Sequence, residues 1–538
     1  MKARIEDNII YSPHPSIEIP VCSFYTLARQ RLLANPNNLA LVNDVVSLTR
    51  AEMLAGMERY AVGFRQYGVL PGDKICVHLD NGVENLLAMY GCVLAGAAIV
   101  LAKTSLTERE LRYEAEDGDC THVITEEHNT TKVNAAVANL NMKTLFCMGR
   151  AAGFVSASQF SKPDENDFHE CPIADPRKTL LALCYTSGST GLPKGAEITH
   201  YNLVASFYSM RLSMPWGEGD IFLGSLPITH ISGMVYPMLA ILEGACCAQV
   251  SAKLTPTEIL DAVDKYKATA AFFFPSQLHA IVREMRRTRR DLPSVRAITV
   301  GGSVLPAATA EAVHECFSGL KLLQKVYGMT ESCALVTSQS KTGELQTTAD
   351  VGVPLSNFQI KVVDVHTRRH LGPHQTGEIC YISLTMVSGY YKRPKETAEL
   401  FDEEGWCRSG DAGYYDESGR LYIVERLKQM IKCMDCQVVP AELEELILCH
   451  YADEIAEVSV VGLPHSDYGE APAAAIVLSE VGGRQDLLTL AERIKATVAS
   501  NLAEHKHLYG GVYFVDSFPK TETAKVNRPA LARSLLRV

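Results

Sequence analysis

The chain has 538 residues, 47% hydrophobic and 21% charged, with a formal net charge of −11. That length exceeds what one hydrophobic core organises and predicts several domains. The composition is that of a soluble globular protein, and the acidity gives nucleic-acid binding no overall electrostatic support.

The 16 cysteines follow no regular framework, and no secretory leader is read. Reduced thiols in a cytosolic protein are therefore expected. The ending Leu535-Leu536-Arg537-Val538 is not a Ser-Lys-Leu peroxisomal address. The longest apolar run, Leu86 to Ala102, contains glycines and falls short of a bilayer span, so it reads as a core helix running into a strand.

From Asp73 the pattern predicts a strand at Ile75 to Leu79, a helix at Val83 to Ala95, a strand at Ala98 to Leu101, a helix at Glu108 to Glu116 and a strand at His122 to Thr125. Such alternation is α/β layering. A buried strand, Leu180 to Cys184, then leads into Tyr185-Thr186-Ser187-Gly188-Ser189-Thr190-Gly191-Leu192-Pro193-Lys194-Gly195, with a helix predicted from about Asn202 to Leu212. Glycines let the backbone approach an anion, hydroxyls and N–H groups donate to phosphate oxygens, and the lysine adds a mobile charge. Strand, loop, helix suits a nucleotide. Spacing excludes a Walker A loop, because Pro193 stands where its second glycine belongs, and no Gly-x-Ser-x-Gly elbow is present.

Further along, Leu226-Pro227-Ile228-Thr229-His230 places a histidine after a proline turn, either a satisfied core side chain or a site residue. The run Ala270-Ala271-Phe272-Phe273-Phe274-Pro275 is a core strand or the wall of an apolar pocket. Five arginines between Arg283 and Arg290 form either a solvated helix end or a docking surface for phosphates. Strands are predicted again at Thr269 to Phe274, Ala297 to Val300 and Leu320 to Val326. Gly301-Gly302-Ser303 ends one of them, where a flat ring can lie on bare backbone, and Tyr327-Gly328-Met329-Thr330-Glu331 ends another. Cys407-Arg408-Ser409-Gly410-Asp411 supplies a carboxylate suited to a diol, since it accepts two hydrogen bonds at once. After Val424 the texture changes to a compact α+β unit, joined through Glu425-Arg426-Leu427-Lys428 and containing Lys432 and Lys525. Cys433 and Cys436 have metal-ligand spacing but no second cysteine pair to match, and read as structural thiols.

In this order the segments resemble the motifs of the adenylate-forming superfamily, which includes acyl-CoA synthetases, 4-coumarate-CoA ligases, beetle luciferases and peptide-synthetase adenylation domains. The resemblance runs from about Cys22 to Arg528. It implies a large multi-subdomain α/β domain over residues 1–425, a hinge at 426–428 and a small mobile α+β lid over 429–538. It further implies ATP, Mg²⁺ and coenzyme A as cofactors and a hydrophobic carboxylic acid as the small-molecule partner.

By the same resemblance, Thr186, Ser187, Gly188, Ser189, Thr190, Gly191 and Lys194 hold phosphate, and His230 guards the carboxylate site. Gly301, Gly302 and Ser303 receive adenine, Tyr327 stacks beside it with Gly328 and Met329, Thr330 donates to the phosphate region, and Glu331 holds magnesium. Asp411 and Arg426 take the ribose, Lys525 contacts the carboxylate and α-phosphate during adenylation, and Lys432 serves the second half-reaction. The chain departs from the pattern at Asp435, where a glycine beside the pantetheine arm of coenzyme A is usual, and at Ala524, which replaces the glycine before Lys525. An enzyme that stops at acyl-AMP or uses another acceptor, as in luciferase-like oxidation, and a non-catalytic nucleotide-binding homologue are the alternatives.

Overall fold

The structure, a computed structural model, describes residues 2–161, 167–186, 192–341, 349–434, 436–484, 486–521 and 525–537. Among them the strands form four sheets. The first runs Lys194–Thr199, Leu180–Thr186, Ala98–Leu101, Lys74–His78, His122–Thr125, Thr144–Cys147 and Val155–Ser156, parallel except at the Lys194–Thr199 edge. The second has a parallel centre of Leu322–Tyr327, Ala297–Val300, Ala270–Phe273, Ile221–Gly224 and Cys246–Gln249. Ligands in such sheets bind beyond the carboxyl ends of the strands, and the predicted site segments following Thr186, Val300 and Tyr327 all leave from those ends.

The apolar run Leu86 to Ala102 folds as expected, as the helix Val83–Leu94 and then the strand Ala98–Leu101. Its buried all-round helix packs with the neighbouring Arg50–Gln66, where a methyl group at Gly91 would strike Tyr60 Cβ at 2.4 Å, so glycine sets the close approach. Helix starts are fixed by capping boxes at Thr49/Glu52, Thr107/Glu110 and Thr255/Glu258.

The third sheet is antiparallel and joins the N-terminal hairpin Arg4–Glu6 and Ile9–Tyr11 to Gln359–Val363, Gly377–Ile382, Cys407–Tyr415 and Leu421–Arg426. The fourth is built from residue 431 onward, with Ile455–His465 and Gly469–Leu478 as its long hairpin. Helices Pro440–His450 and Leu487–Asn501 cover it, and Ile431, Leu443, Ile447, Ile476 and Ile494 make a core separate from that of the preceding sheets. Among the described residues no helix is long and apolar enough to cross a membrane.

Candidate active site

The phosphate loop departs from expectation in its setting. Leu180–Thr186 does not pass through the loop into a helix; it pairs antiparallel with Lys194–Thr199, Thr186 opposite Lys194, and only then does helix His200–Met210 begin on a Thr199/Asn202 capping box. The strands on either side of the glycine-rich stretch are therefore antiparallel neighbours. Ser187, Gly188, Ser189, Thr190 and Gly191 lie outside the described residues. The flanking residues are pinned: Tyr185 donates to Asp117 Oδ2 at 2.8 Å and Tyr113 to the Pro193 carbonyl at 2.8 Å.

On the outer edge of the hairpin, Tyr391 N–H donates to the Gly195 carbonyl at 2.8 Å and Ala196 pairs with Tyr390. This brings the Tyr390 ring beneath Lys194 Nζ, 5.2 Å from its centroid, and the Tyr390 hydroxyl within 2.6 Å of Glu331 Oε1. Glu331 reaches that point because the backbone after Tyr327 doubles back. A methyl group at Gly328 would lie 1.9 Å from the Ala334 carbonyl oxygen, which only glycine avoids, and Cys333 and Ala334 adopt φ of 50° and 112°. Non-glycine residues held in that region mark a locally strained turn. Thr330 opens the short helix carrying Glu331. With Oε1 of Glu331 committed to Tyr390, its other oxygen suits a hard cation that takes its remaining ligands from phosphate.

A second cluster forms on the third sheet. Asp411 and Arg426 are directly opposite across neighbouring strands, so Arg426 Nε lies 2.8 Å from Asp411 Oδ1. Tyr327, arriving from the second sheet, donates to Asp411 Oδ2 at 2.6 Å. Burial and the Asp411 charge together push the Tyr327 hydroxyl well above its ordinary range, so it stays a donor. Ser409 Oγ accepts from the Asp411 N–H at 3.0 Å and donates to the Ile379 carbonyl, fixing the carboxylate's backbone.

Lys525 comes from the small α+β unit. A methyl group at Gly302 would sit 3.4 Å from Lys525 Cε and 2.8 Å from the Phe274 ring, so this lysine lies over the Gly301-Gly302 turn, where Gly302 has φ +95°. Loss of water pushes Lys525 down to about 8; Arg426 and Lys103 act the same way, and Asp411 opposes them. Lys103, just past strand Ala98–Leu101, also acts on His230.

His230 caps helix Ile231–Leu242. Its Nδ1 accepts from Ser232 N–H at 3.2 Å, which leaves the ring proton on Nε2. Burial, reinforced by Lys103 and Lys525, pushes it down to about 3, so the ring is neutral. A methyl group at Gly233 would collide with the Pro227 carbonyl at 1.8 Å; this packing sets the turn that aims His230. Its ring meets Phe274 edge-on at 6.2 Å, and Phe272 lies 5.7 Å beyond.

The structure thus gathers Lys194, His230, Gly302, Tyr327, Glu331, Asp411, Arg426 and Lys525 in one region, between the ends of the parallel strands and the third sheet. Lys432 is not among them; it is exposed on Ile431–Cys433 in the fourth sheet, with its N–H given to Glu470. Asp435 and Ala524 lie outside the described residues. The arginine-rich helix end is largely neutralised, Arg286 by Glu315 at 2.6 Å, Arg287 by Glu284 at 2.7 Å and Arg290 by Asp261 and Asp264, which favours the solvated helix end. Tyr390 and Lys103 carry no motif of their own; the signal for Tyr390 is the turn glycine before it, Gly389, at φ +152°.

The antiparallel pair ending at Thr186 and Lys194, the Asp411–Arg426–Tyr327 cluster and a lysine delivered from a separate small unit make the arrangement expected of an adenylate-forming enzyme. The AMP-binding enzyme family matches residues 28–391, and the AMP-binding enzyme C-terminal domain matches residues 442–525. 4-Coumarate-CoA ligase 3 of Oryza sativa subsp. japonica is 31% identical, covering 91% of this chain and 87% of its own length. 4-Coumarate-CoA ligase 2 of Petroselinum crispum is 30% identical over 98% and 96%. The crystal structure of ATP-bound MatB from Rhodopseudomonas palustris aligns with a TM-score of 0.84 at 25% identity, over 95% of this chain and 99% of that one. The chain belongs to the AMP-binding enzyme family.

Proposed function

We propose that this protein activates a hydrophobic carboxylic acid, fatty or aryl, with ATP and Mg²⁺ to acyl-AMP and pyrophosphate, then transfers the acyl group to coenzyme A. The observation that carries the reading is Lys525 lying over Gly302, beside the Asp411–Arg426 pair and neutral His230. A carboxylate and an α-phosphate repel one another, so fixed positive charge in a site shielded from water is what lowers the barrier between them. Lys525 and Lys194 supply that charge, Asp411 and Arg426 hold the ribose, and Gly301, Gly302 and Ser303 leave room for adenine. Glu331 would hold magnesium, which cancels phosphate charge when bound. Phe272 and Phe274 form the apolar side of the acid site. Rotation about 426–428 would exchange Lys525 for Lys432 before thiolysis.

Acid-dependent ATP–pyrophosphate exchange across fatty, aryl and short acids, with and without coenzyme A, tests the reading. Exchange with fatty or aryl acids and thioester on adding coenzyme A is expected; no exchange with any acid would leave only a nucleotide binder. Exchange without thioester would favour an enzyme that stops at acyl-AMP, the reading to which a charged Asp435 in place of glycine points.

The pH dependence follows from Lys525. Its proton is held below pH of about 8 and lost above it, so exchange at subsaturating ATP is expected to fall as pH rises through that value. His230, pushed down to about 3, adds no step in the neutral range. A profile that stays flat well into the alkaline range would remove the Lys525 charge from the adenylation step.

A further inference from the structure

Arg528 stands at the first turn of helix Arg528–Leu535, just past Lys525. Its guanidinium faces three carboxylate or amide groups at once. Nη2 donates to both oxygens of Glu444, at 2.9 and 3.0 Å, and Nη1 donates to Gln429 Oε1 at 3.0 Å and Glu425 Oε2 at 3.1 Å. Glu444 belongs to helix Pro440–His450 and also accepts from the Val460 N–H at 2.7 Å, so it moves with the fourth sheet. Glu425 is different. It lies on the strand Leu421–Arg426 of the third sheet, next to Arg426, and its Oε1 accepts from the Arg426 N–H at 2.9 Å.

We infer that Arg528 is a positioning residue: by tying Glu444 of the small unit to Glu425 of the large one, it sets the pose in which Lys525 reaches Gly302. The inference rests on the adenylation reading above. The connection runs without a gap from Arg528 through Glu425 and Arg426 to Asp411 and Tyr327. Between Lys525 and Arg528 the chain has little slack. Thr521 N–H donates to the Lys525 carbonyl at 2.8 Å, Lys520 pairs with Val526, and Asn527 N–H donates to the Pro519 carbonyl at 2.7 Å. A shift of Arg528 therefore becomes a shift of Lys525. Rotation of the small unit about 426–428 carries Arg528, Gln429 and Glu444 together, so of the Arg528 bonds it must break only the one to Glu425, which makes that contact the latch. Charge-assisted bonds from one guanidinium nitrogen to both carboxylate oxygens hold the Glu444 half, and the buried Glu425 carboxyl, pushed up by loss of water and pulled back by Arg528, has that guanidinium as its compensating charge.

Glu425→Ala cuts the latch and leaves the Arg528–Glu444 pair inside the small unit. Three readouts decide: acyl-AMP formation, thioester synthesis from supplied acyl-AMP, and hydrogen exchange of the hinge amides of Leu427, Gln429 and Met430. Misplacing a charge by a fraction of a bond length costs rates steeply, so acyl-AMP formation is expected to fall on the order of tenfold. Thioester synthesis is expected to hold or rise, and the hinge amides to exchange faster. Arg528→Gln combined with Glu425→Ala should cost no more adenylation than Arg528→Gln alone. Unchanged hinge exchange, equal loss of both half-reactions, or full additivity of the two substitutions would each overturn the proposal. If the parent protein shows no acid-dependent exchange at all, the functional reading fails, while the hinge amides still decide whether Glu425 and Arg528 hold the two units together.

Discussion

Lys525→Ala is expected to lower acyl-AMP formation by about 10²–10³-fold, the usual cost of removing one preorganised charge from a reacting centre. Thioester synthesis from supplied acyl-AMP is expected to stay within a few-fold of the parent. The split follows from where the side chain sits. Among the described residues it is the cation that the small unit brings to Gly302, and it acts electrostatically on Asp411, Arg426 and His230. Its ammonium is held in surroundings that have already stripped away water, and Arg426 and Lys103 make the pocket more positive still. Such a pocket is costly without an anion and favourable with one, and under the proposed function it would direct binding energy to the charge that builds on the α-phosphate. Once acyl-AMP exists, that work is done. Measured ATP–pyrophosphate exchange beside single-turnover thioester formation checks the split; parallel loss of both steps would mean that Lys525 supports the fold of the lid and not one step.

Much of this site is legible before any fold is known, for a physical reason. Tyr327, Glu331, Arg426 and Lys525 sit where strands end or turn, and such positions tolerate few residue types because backbone geometry and ligand chemistry both constrain them. What escapes sequence reading is whatever acts across the chain. Tyr390 matters only because the edge of the hairpin strand Lys194–Thr199 captures it, and that strand itself is hidden: Lys194, Gly195 and Glu197 offer neither alternation nor β-branched side chains. The antiparallel third sheet is masked in the same way. Its strand Cys407–Tyr415 contains Gly410 at φ +69° and Gly413, where a methyl group would strike the Tyr422 carbonyl at 2.4 Å, so a run that reads as a turn is a strand packed too closely for side chains. Arg528 looks like an ordinary helix-start arginine until Glu425 and Glu444, distant in sequence, are seen around it. The parallel strands fared better: Ala98–Leu101 is a continuous apolar run, and His122–Thr125 and Ala297–Val300 are β-branched-rich runs buried at every position, as expected of strands covered on both faces.

Lys432→Ala is expected to produce the opposite split, leaving acyl-AMP formation near the parent rate and lowering thioester formation by about 10²-fold, the scale of one lost transition-state contact. Lys432 lies on a three-residue strand between Cys436–Val438 and Gly469–Leu478, so its side chain is held by the small unit's sheet and not by a loop. Its exposure, beside a Lys525 that is already in the cleft, means that the two lysines cannot serve the same pose. Rotation at 426–428 is the simplest motion that would bring Lys432 to the pocket, and Leu427 N–H, now given to the Gly410 carbonyl at 2.9 Å, is one of the bonds such a rotation would disturb. The measurement is thioester release from enzyme charged with acyl-AMP, under conditions where adenylation is not limiting. Should Lys432→Ala leave that rate untouched, the exposed lysine has no part in the second half-reaction and the alternation of two lysines over one pocket is lost, with Lys525 alone remaining as the lid's contribution.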